Sequence, residues 1–279
     1  MKTMKRALAV LLAAVLLCVG VPLAVAEDEP TYQLGDQIQF GTYPQTRVEE
    51  TPELLAAAES ATWKSYEYYS GTYNPREGTG YQYDGNMKPC GSMEYSDFFF
   101  HGQKYRAVLF HSYRAYATGY YSYNYDYQYQ TQNGYTPRGT YYFKYEPLTW
   151  RVIDPTAKMI MCESIIDSQS YQNTVSYFSG VYYQDNDSSV YANDYASSSI
   201  RAWLNHDFYE TAFTEVQKEN IQTTELNNDA YYNGKNFEDY NSAITNDKIY
   251  LPSYLDVYNV SYGFYINQND ATRIASGTD

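Results

Sequence analysis

Residues 141–162 read YYFKYEPLTWRVIDPTAKMIMC, and the reading of this stretch decides the fold class. Aromatic and β-branched residues crowd positions 141–153, a second apolar run covers 158–162, and Asp154-Pro155-Thr156 between them is turn chemistry. That combination predicts a β-hairpin. A second hairpin is predicted upstream, with residues 95–100 and 104–110 flanking His101-Gly102-Gln103. Earlier still, the alternation over 36–40 predicts a half-buried strand, closed by a turn at Gly41-Thr42-Tyr43-Pro44.

Helical signals lie before and after these strands. Thr51 is a cap, Pro52 suits the first helical position, and Leu54, Leu55, Ala58 and Ala61 form the apolar stripe behind them. Ile200, Trp203, Leu204 and Phe208 recur at helical spacing within residues 199–212, again after a serine. Thr214 with Gln217 makes a capping box, a strand is predicted over 248–251, and Ser253 with Asp256 starts one more helix. Residues 65–92 and 169–194 read as polar loops. Strands and helices that do not alternate as βαβ units predict an α+β fold, with mixed or antiparallel sheets, hairpins and a few short helices.

The amino terminus carries an address. Lys2, Lys5 and Arg6 precede an apolar run that ends in Ala24-Val25-Ala26, followed by acids, which predicts a signal peptide over 1–26 with Ala24 and Ala26 at the cleavage-recognition positions. The expected product, residues 27–279, is one secreted or cell-surface domain without a membrane span. Its loss of three cations leaves 16 Lys and Arg against 33 Asp and Glu, a net charge of −17. Nucleic acid is excluded as a partner, because a phosphate backbone rewards clustered cations and none are clustered here. Two cysteines remain after cleavage. In an oxidising compartment Cys90 and Cys162 are a candidate disulfide, while the apolar surroundings of Cys162 equally suit a buried free thiol.

Chemistry-bearing patterns are sparse. His101, His111 and His206 are scattered, with no HExxH or CxxC spacing for a metal. GxSxG and Gly-rich phosphate loops do not occur, and Asp185-Asn186-Asp187 lacks the glycine of a calcium loop. No catalytic residue, metal ligand or cofactor is therefore assigned. The distinctive feature is residues 119–135, GYYSYNYDYQYQTQNGY, where Tyr121, Tyr123, Tyr125, Tyr127 and Tyr129 fall on alternate positions. In an extended chain those five rings share one face, suited to stacking on sugars or anchoring a protein partner. They form the candidate ligand-binding face; a strand packed on the protein's own core and an irregular loop are the competing readings, since 37 of the 279 residues are tyrosine.

Four blocks carry a family resemblance: 35–45 (GDQIQFGTYPQ), 143–153 (FKYEPLTWRVI), 199–205 (SIRAWLN) with Phe208 and Ala212-Phe213, and 245–251 (TNDKIYL). In order and spacing they resemble a bacterial family of exported proteins called domain of unknown function 6273. The resemblance implies a fold like that of C-type lectins and formylglycine-generating enzymes, and it supplies no catalytic residues. Trp150, Arg151, Arg201, Trp203 and Asn205 match its motifs, and their spacing marks them as architecture: Trp203 on the apolar helix face, Arg201 against a carboxylate, Asn205 holding a loop. The family's tryptophan-rich strand and Gly-Val-Arg-Pro ending do not appear, so the carboxy-terminal part of the domain is expected to be missing. The functional expectation is a secreted, tyrosine-rich, non-catalytic module that binds extracellular glycan or protein. The alternatives are an extracellular enzyme, either a carbohydrate hydrolase or a formylglycine-generating-type oxidase, and a structural cell-envelope domain.

Overall fold

A computed structural model describes residues 31–65, 93–110, 139–167, 169, 171–172, 176–184, 189–265, 275 and 277–278. The fold is α+β, with antiparallel sheets and short helices, as the hairpin and capping signals predict. Its main sheet runs β1 (Gln37–Val48), β5 (Thr140–Asp154), β4 (Gln103–Phe110), β3 (Met93–Phe100) and β2 (Lys64–Ser65), and β6 (Met159–Cys162) also pairs with β5. The 15-residue β5 is the spine. It holds β1 along one edge, from Arg151 opposite Gln37 to Tyr142 opposite Val48, and shares its other edge between β4 and β6.

Both predicted hairpins are present. His101 and Gly102 turn β3 into β4 with φ of 48° and 77°, the left-handed pair that lets a two-residue loop match the strand twist. At the other hairpin the Asp154 carboxylate accepts from the backbone N–H groups of Thr156 and Ala157 at 2.9 and 3.0 Å, which closes the turn into β6.

Residues 41–44 do not end the first strand as the turn chemistry predicts. β1 continues through them to Val48, with register breaks between Gln39 and Thr42 and between Pro44 and Thr46. Gly41 has φ of +77°, and a β-carbon there would lie 2.6 Å from the Phe213 ring and 2.9 Å from the Ala212 carbonyl. The glycine therefore serves a bulge pressed against a helix rather than a turn. The bulge frees the carbonyl of Phe40 from the ladder, and the Trp150 indole donates to it at 2.6 Å. Pro44 is tolerated because β1 pairs on one side only within the sheet.

Among the described residues three apolar clusters lie on the sheet, and two of them bury helices. In the first, α1 (Pro52–Glu59), capped by Thr51 as predicted, packs Leu54 and Ala58 on Phe98, Ala107 and Tyr142. In the second, Tyr43, Leu148 and Trp150 meet Ile200, Leu204, Phe208, Tyr209, Ala212 and Phe213. Those last residues lie on a continuous helical stretch: α2 (Ser199–Trp203), a π-helical turn (Leu204–Phe208) and α3 (Tyr209–Ala212). Ser198 caps it by accepting from the Arg201 N–H. The widened turn brings both Phe208 and Tyr209 into the core, and Phe208 meets Phe213 edge-on at 5.8 Å. The capping box of Thr214 and Gln217 then starts α4 (Glu215–Asn220).

Gly41→Ala tests the bulge. Left-handed strain and overpacking against Phe213 together are expected to cost about 2–4 kcal/mol. At Gly35, which has φ of +89° and nothing near its would-be β-carbon, alanine should cost only about 1 kcal/mol. Urea unfolding followed by circular dichroism compares the two, and equal losses would remove the close approach as the reason for glycine at 41.

Candidate functional site

The helix that fills the second core also holds a layer of loops. Arg201 reaches from α2 to β12 (Thr245–Asp247), placing Nε 2.8 and 3.0 Å from the two carboxylate oxygens of Asp247 and Nη2 2.8 Å from Oδ1. Asp247 is 1% exposed and accepts a further hydrogen bond from the Thr245 hydroxyl at 2.8 Å. The same guanidinium donates through Nη1 to the Ala196 carbonyl at 2.8 Å. Hydrogen bonding to Asp247, outweighing burial, raises the affinity of Arg201 for its proton.

One turn further along, Asn205 spends its whole amide on backbone. Its oxygen accepts from Lys248 N–H at 2.8 Å and Ile249 N–H at 3.3 Å, while its nitrogen donates to the carbonyls of Ile249 at 2.9 Å and Arg201 at 3.1 Å. The roles read from the sequence for Arg201 and Asn205 are the roles they play. The strand predicted at 248–251 does not form, and Asn205 is the reason: it takes the backbone groups that a ladder would have used. The strand lies just before, where β12 pairs with β9 (Thr224–Leu226).

That pair closes the base of the loop over residues 227–244. Inside it, the Asn228 amide donates to the Ala243 carbonyl and Thr245 hydroxyl at 2.7 and 3.1 Å, and the Asn241 side chain accepts from Ala230 N–H at 2.8 Å. The Ser242 hydroxyl accepts from Ala196 N–H at 2.8 Å, which binds the loop to the start of the helical stretch. A small hairpin, β10 (Tyr231–Tyr232) and β11 (Lys235–Asn236), turns through Asn233 and Gly234 with φ of 48° and 74°. Asn-Gly is a strong hairpin signal, and it was available in the sequence. The predicted polar loop at 169–194 likewise contains a short hairpin, β7 (Ser176–Phe178) and β8 (Val181–Tyr183).

This loop feeds one tyrosine into each of two aromatic stacks. Tyr240 lies 4.8 Å from Tyr191, which lies 5.5 Å from Tyr183 at an interplanar angle of 19°. Tyr232 lies 5.6 Å from Tyr254, which stacks on Tyr258 at 4.4 Å. Tyr254 opens α5 (Tyr254–Val257), whose Ser253 and Asp256 form the predicted capping box. Tyr232 and Tyr240 are 58% and 43% exposed, so each stack ends in a ring that faces solvent. Phe237, Tyr182, Ile244, Leu251, Leu255 and Val260 are exposed in the neighbouring segments.

The sequence-predicted binding row, Tyr121, Tyr123, Tyr125, Tyr127 and Tyr129, lies outside the described residues, as do Ala24, Ala26, Cys90, His111 and residues 185–187. Cys162 is a half-buried free thiol in β6, and burial pushes its pKa up. Trp203 rests partly buried against the second core, 5.4 Å from Phe208, and Arg151 lies 3.6 Å from Glu163. Among the described residues no three His, Cys, Asp or Glu side chains gather as metal ligands, and no helix is long and apolar enough to cross a membrane.

One more polar cluster sits on the sheet. Arg106, 4% exposed, clamps Asp97 with Nε and Nη2 at 2.8 and 2.9 Å and lies 4.2 Å over the Tyr95 ring. Lys104 adds a cation 3.7 Å from Asp97. Burial alone would raise the Asp97 carboxyl, but Arg106 and then Lys104 hold it below the ordinary value.

Residues 158–279 match a known family, described as Domain of unknown function (DUF6273). The sequence resemblance is thus shown for this part of the chain. The matched segment contains the Arg201 and Asn205 frame and every tyrosine of the two stacks. The motif blocks around Phe40 and Trp150 precede the match, yet they share a core with the matched helix. No curated protein and no solved structure matches the chain.

Asn205→Ala strips partners from Lys248, Ile249 and Arg201 backbone groups together, and is expected to cost about 2–3 kcal/mol. Hydrogen exchange should speed up at Lys248 and Ile249 before the main sheet loosens; unchanged protection there would sink the bracing role. For Asp97 the folded pKa is depressed, so its contribution is full above the unfolded value near 4 and fades as pH falls through the folded value. Asp97→Asn should cost about 2 kcal/mol at pH 7 by taking the forked carboxylate away from the buried Arg106. The gap in melting temperature between variant and parent should narrow below about pH 4, and a gap independent of pH would refute the ion pair as its source.

Proposed function

We propose that this chain is an exported, non-catalytic binding module that recognises an extracellular glycan or protein through tyrosine-bearing loops. One observation carries the reading: the loop over 227–244 is braced at its base and along its length, and it delivers Tyr232 and Tyr240 as the exposed ends of two tyrosine clusters, Tyr232 edge-on to Tyr254 and Tyr240 tilted against Tyr191. Bracing matters because ordering a loop at the moment of binding costs affinity, and a ring already in contact with its neighbours has less rotamer freedom left to lose. Tyrosine offers broad apolar area with a hydroxyl at its edge, which suits both sugar faces and protein surfaces. Export is supported by the charged and apolar amino terminus ending at Ala24-Val25-Ala26.

The double variant Tyr232→Ser/Tyr240→Ser, made in the secreted chain, tests the surface. Binding to a glycan array and to extracellular protein preparations is expected to fall at least about tenfold, as loss of two aromatic anchors of about 1–2 kcal/mol each would give. Circular dichroism should show the fold retained. A parallel Tyr123→Ser/Tyr125→Ser/Tyr127→Ser variant reads the contribution of the five-tyrosine row. Binding unchanged in the first variant and lost in the second would move recognition to the row.

A further inference from the structure

We infer that the partner of this surface is a protein segment that combines arginine or lysine with apolar residues. The inference rests on the binding reading above and narrows it from glycan or protein to one class.

The first argument is the company the rings keep. Ile244, Leu251, Leu255 and Val260 are 41–63% exposed in the segments that carry or flank the stacks. A sugar presents a C–H face to an aromatic ring but surrounds it with hydroxyls, which aliphatic side chains cannot satisfy. Apolar side chains of a protein can be buried against them.

The second argument is charge. The loop carries Asp229, Glu238 and Asp239, all exposed, against a single cation, Lys235. The whole chain has a net charge of −14. Such a field repels phosphate-bearing or acidic polymers and draws a cationic segment toward the rings.

The third argument is how this chain treats tyrosine elsewhere. Several of its cations lie over phenol rings: Arg47 over Tyr141 at 4.4 Å, Arg106 over Tyr95 at 4.2 Å, Lys104 over Tyr145 at 4.1 Å and Lys248 over Tyr209 at 4.6 Å. Among the described residues no cation lies over Tyr232 or Tyr240. Tyr232 and Tyr240 are exposed in a loop that also carries Glu238 and Asp239, and Lys235 lies opposite Tyr232 in the hairpin register without standing over its ring. A guanidinium from outside completes the arrangement the protein uses inside, with the carboxylates of Glu238 and Asp239 as its counter-charges.

Fluorescence anisotropy of the full chain against three probes tests this: a labelled twelve-residue peptide alternating arginine and leucine, the same peptide with glutamate for arginine, and a neutral soluble glucan. Saturable binding of the arginine peptide is expected, weakened at least tenfold by Tyr232→Ser/Tyr240→Ser and at least threefold by Glu238→Gln/Asp239→Asn. No binding of the glutamate peptide is expected. Arginine-peptide binding that ignores the tyrosine variant would be adsorption to net charge, and overturns the inference. Tyrosine-dependent binding of the glucan without the peptide overturns the partner class while leaving the binding surface in place. No tyrosine-dependent binding to any probe, array or protein preparation overturns both.

Discussion

The carboxylate of Asp247 is almost wholly removed from water, and the loop layer depends on what compensates it. An isolated buried carboxylate would be too costly to keep. Arg201 answers with a forked contact, Thr245 with a hydroxyl, and the guanidinium's remaining nitrogen ties in the Ala196 carbonyl. Removing Arg201 would leave the Asp247 carboxylate buried without its counter-charge, so β12 cannot drift from the helix without losing the whole arrangement. Asn205 extends the same bond pattern by one helical turn. From that fixed line the β9 and β12 pair, the loop and its tyrosines take their positions.

The helix can act as an anchor because its other side is held equally firmly. Leu148, Trp150 and Tyr43 of the sheet meet Phe208, Tyr209 and Phe213, and the approach is close enough that position 41 has no room for a side chain. The bulge and the indole bond to Phe40 belong together: breaking the ladder at 39–42 leaves a carbonyl that needs a donor, and Trp150 supplies it. The DUF6273 match begins at residue 158, after these strands, so the matched sequence and the physical packing unit do not coincide. A segment starting at 158 would lack the sheet side of its own core.

What the sequence made legible was local. Thr51, Thr214 and Ser253 announce helix starts because a cap needs only its own side chain and the next turn. Both large hairpins were readable for the same reason, from turn chemistry between apolar runs. Gly41 misled, because glycine before Thr-Tyr-Pro is turn chemistry in isolation and becomes a bulge only when Phe213, far along the chain, presses on it. Residues 248–251 misled for a parallel reason: Ile249, Tyr250 and Leu251 are strand formers, but a side chain 43 residues upstream claims the backbone of Lys248. The π-helical turn has no local signature, since it follows from core packing. The tyrosine stacks were obscured by abundance, because a chain rich in tyrosine hides which rings face out until the loops between them are placed.

On the proposed reading, placing recognition on loops and stability on a helix and sheet separates two demands that conflict in one element. A recognition ring must stay partly wet to be useful, and a wet ring contributes little to folding. Here the exposed rings are terminal members of stacks whose inner members, Tyr191 with Tyr183 and Tyr254 with Tyr258, are half-buried. The inner rings recover the packing energy and fix the angle of the outer ones. The backbone beneath is held by asparagine and serine side chains rather than by apolar burial, so the loop faces that meet solvent can change without disturbing the core. On that reading the surface is held in place before a partner arrives, and much of the cost of ordering it is met during folding.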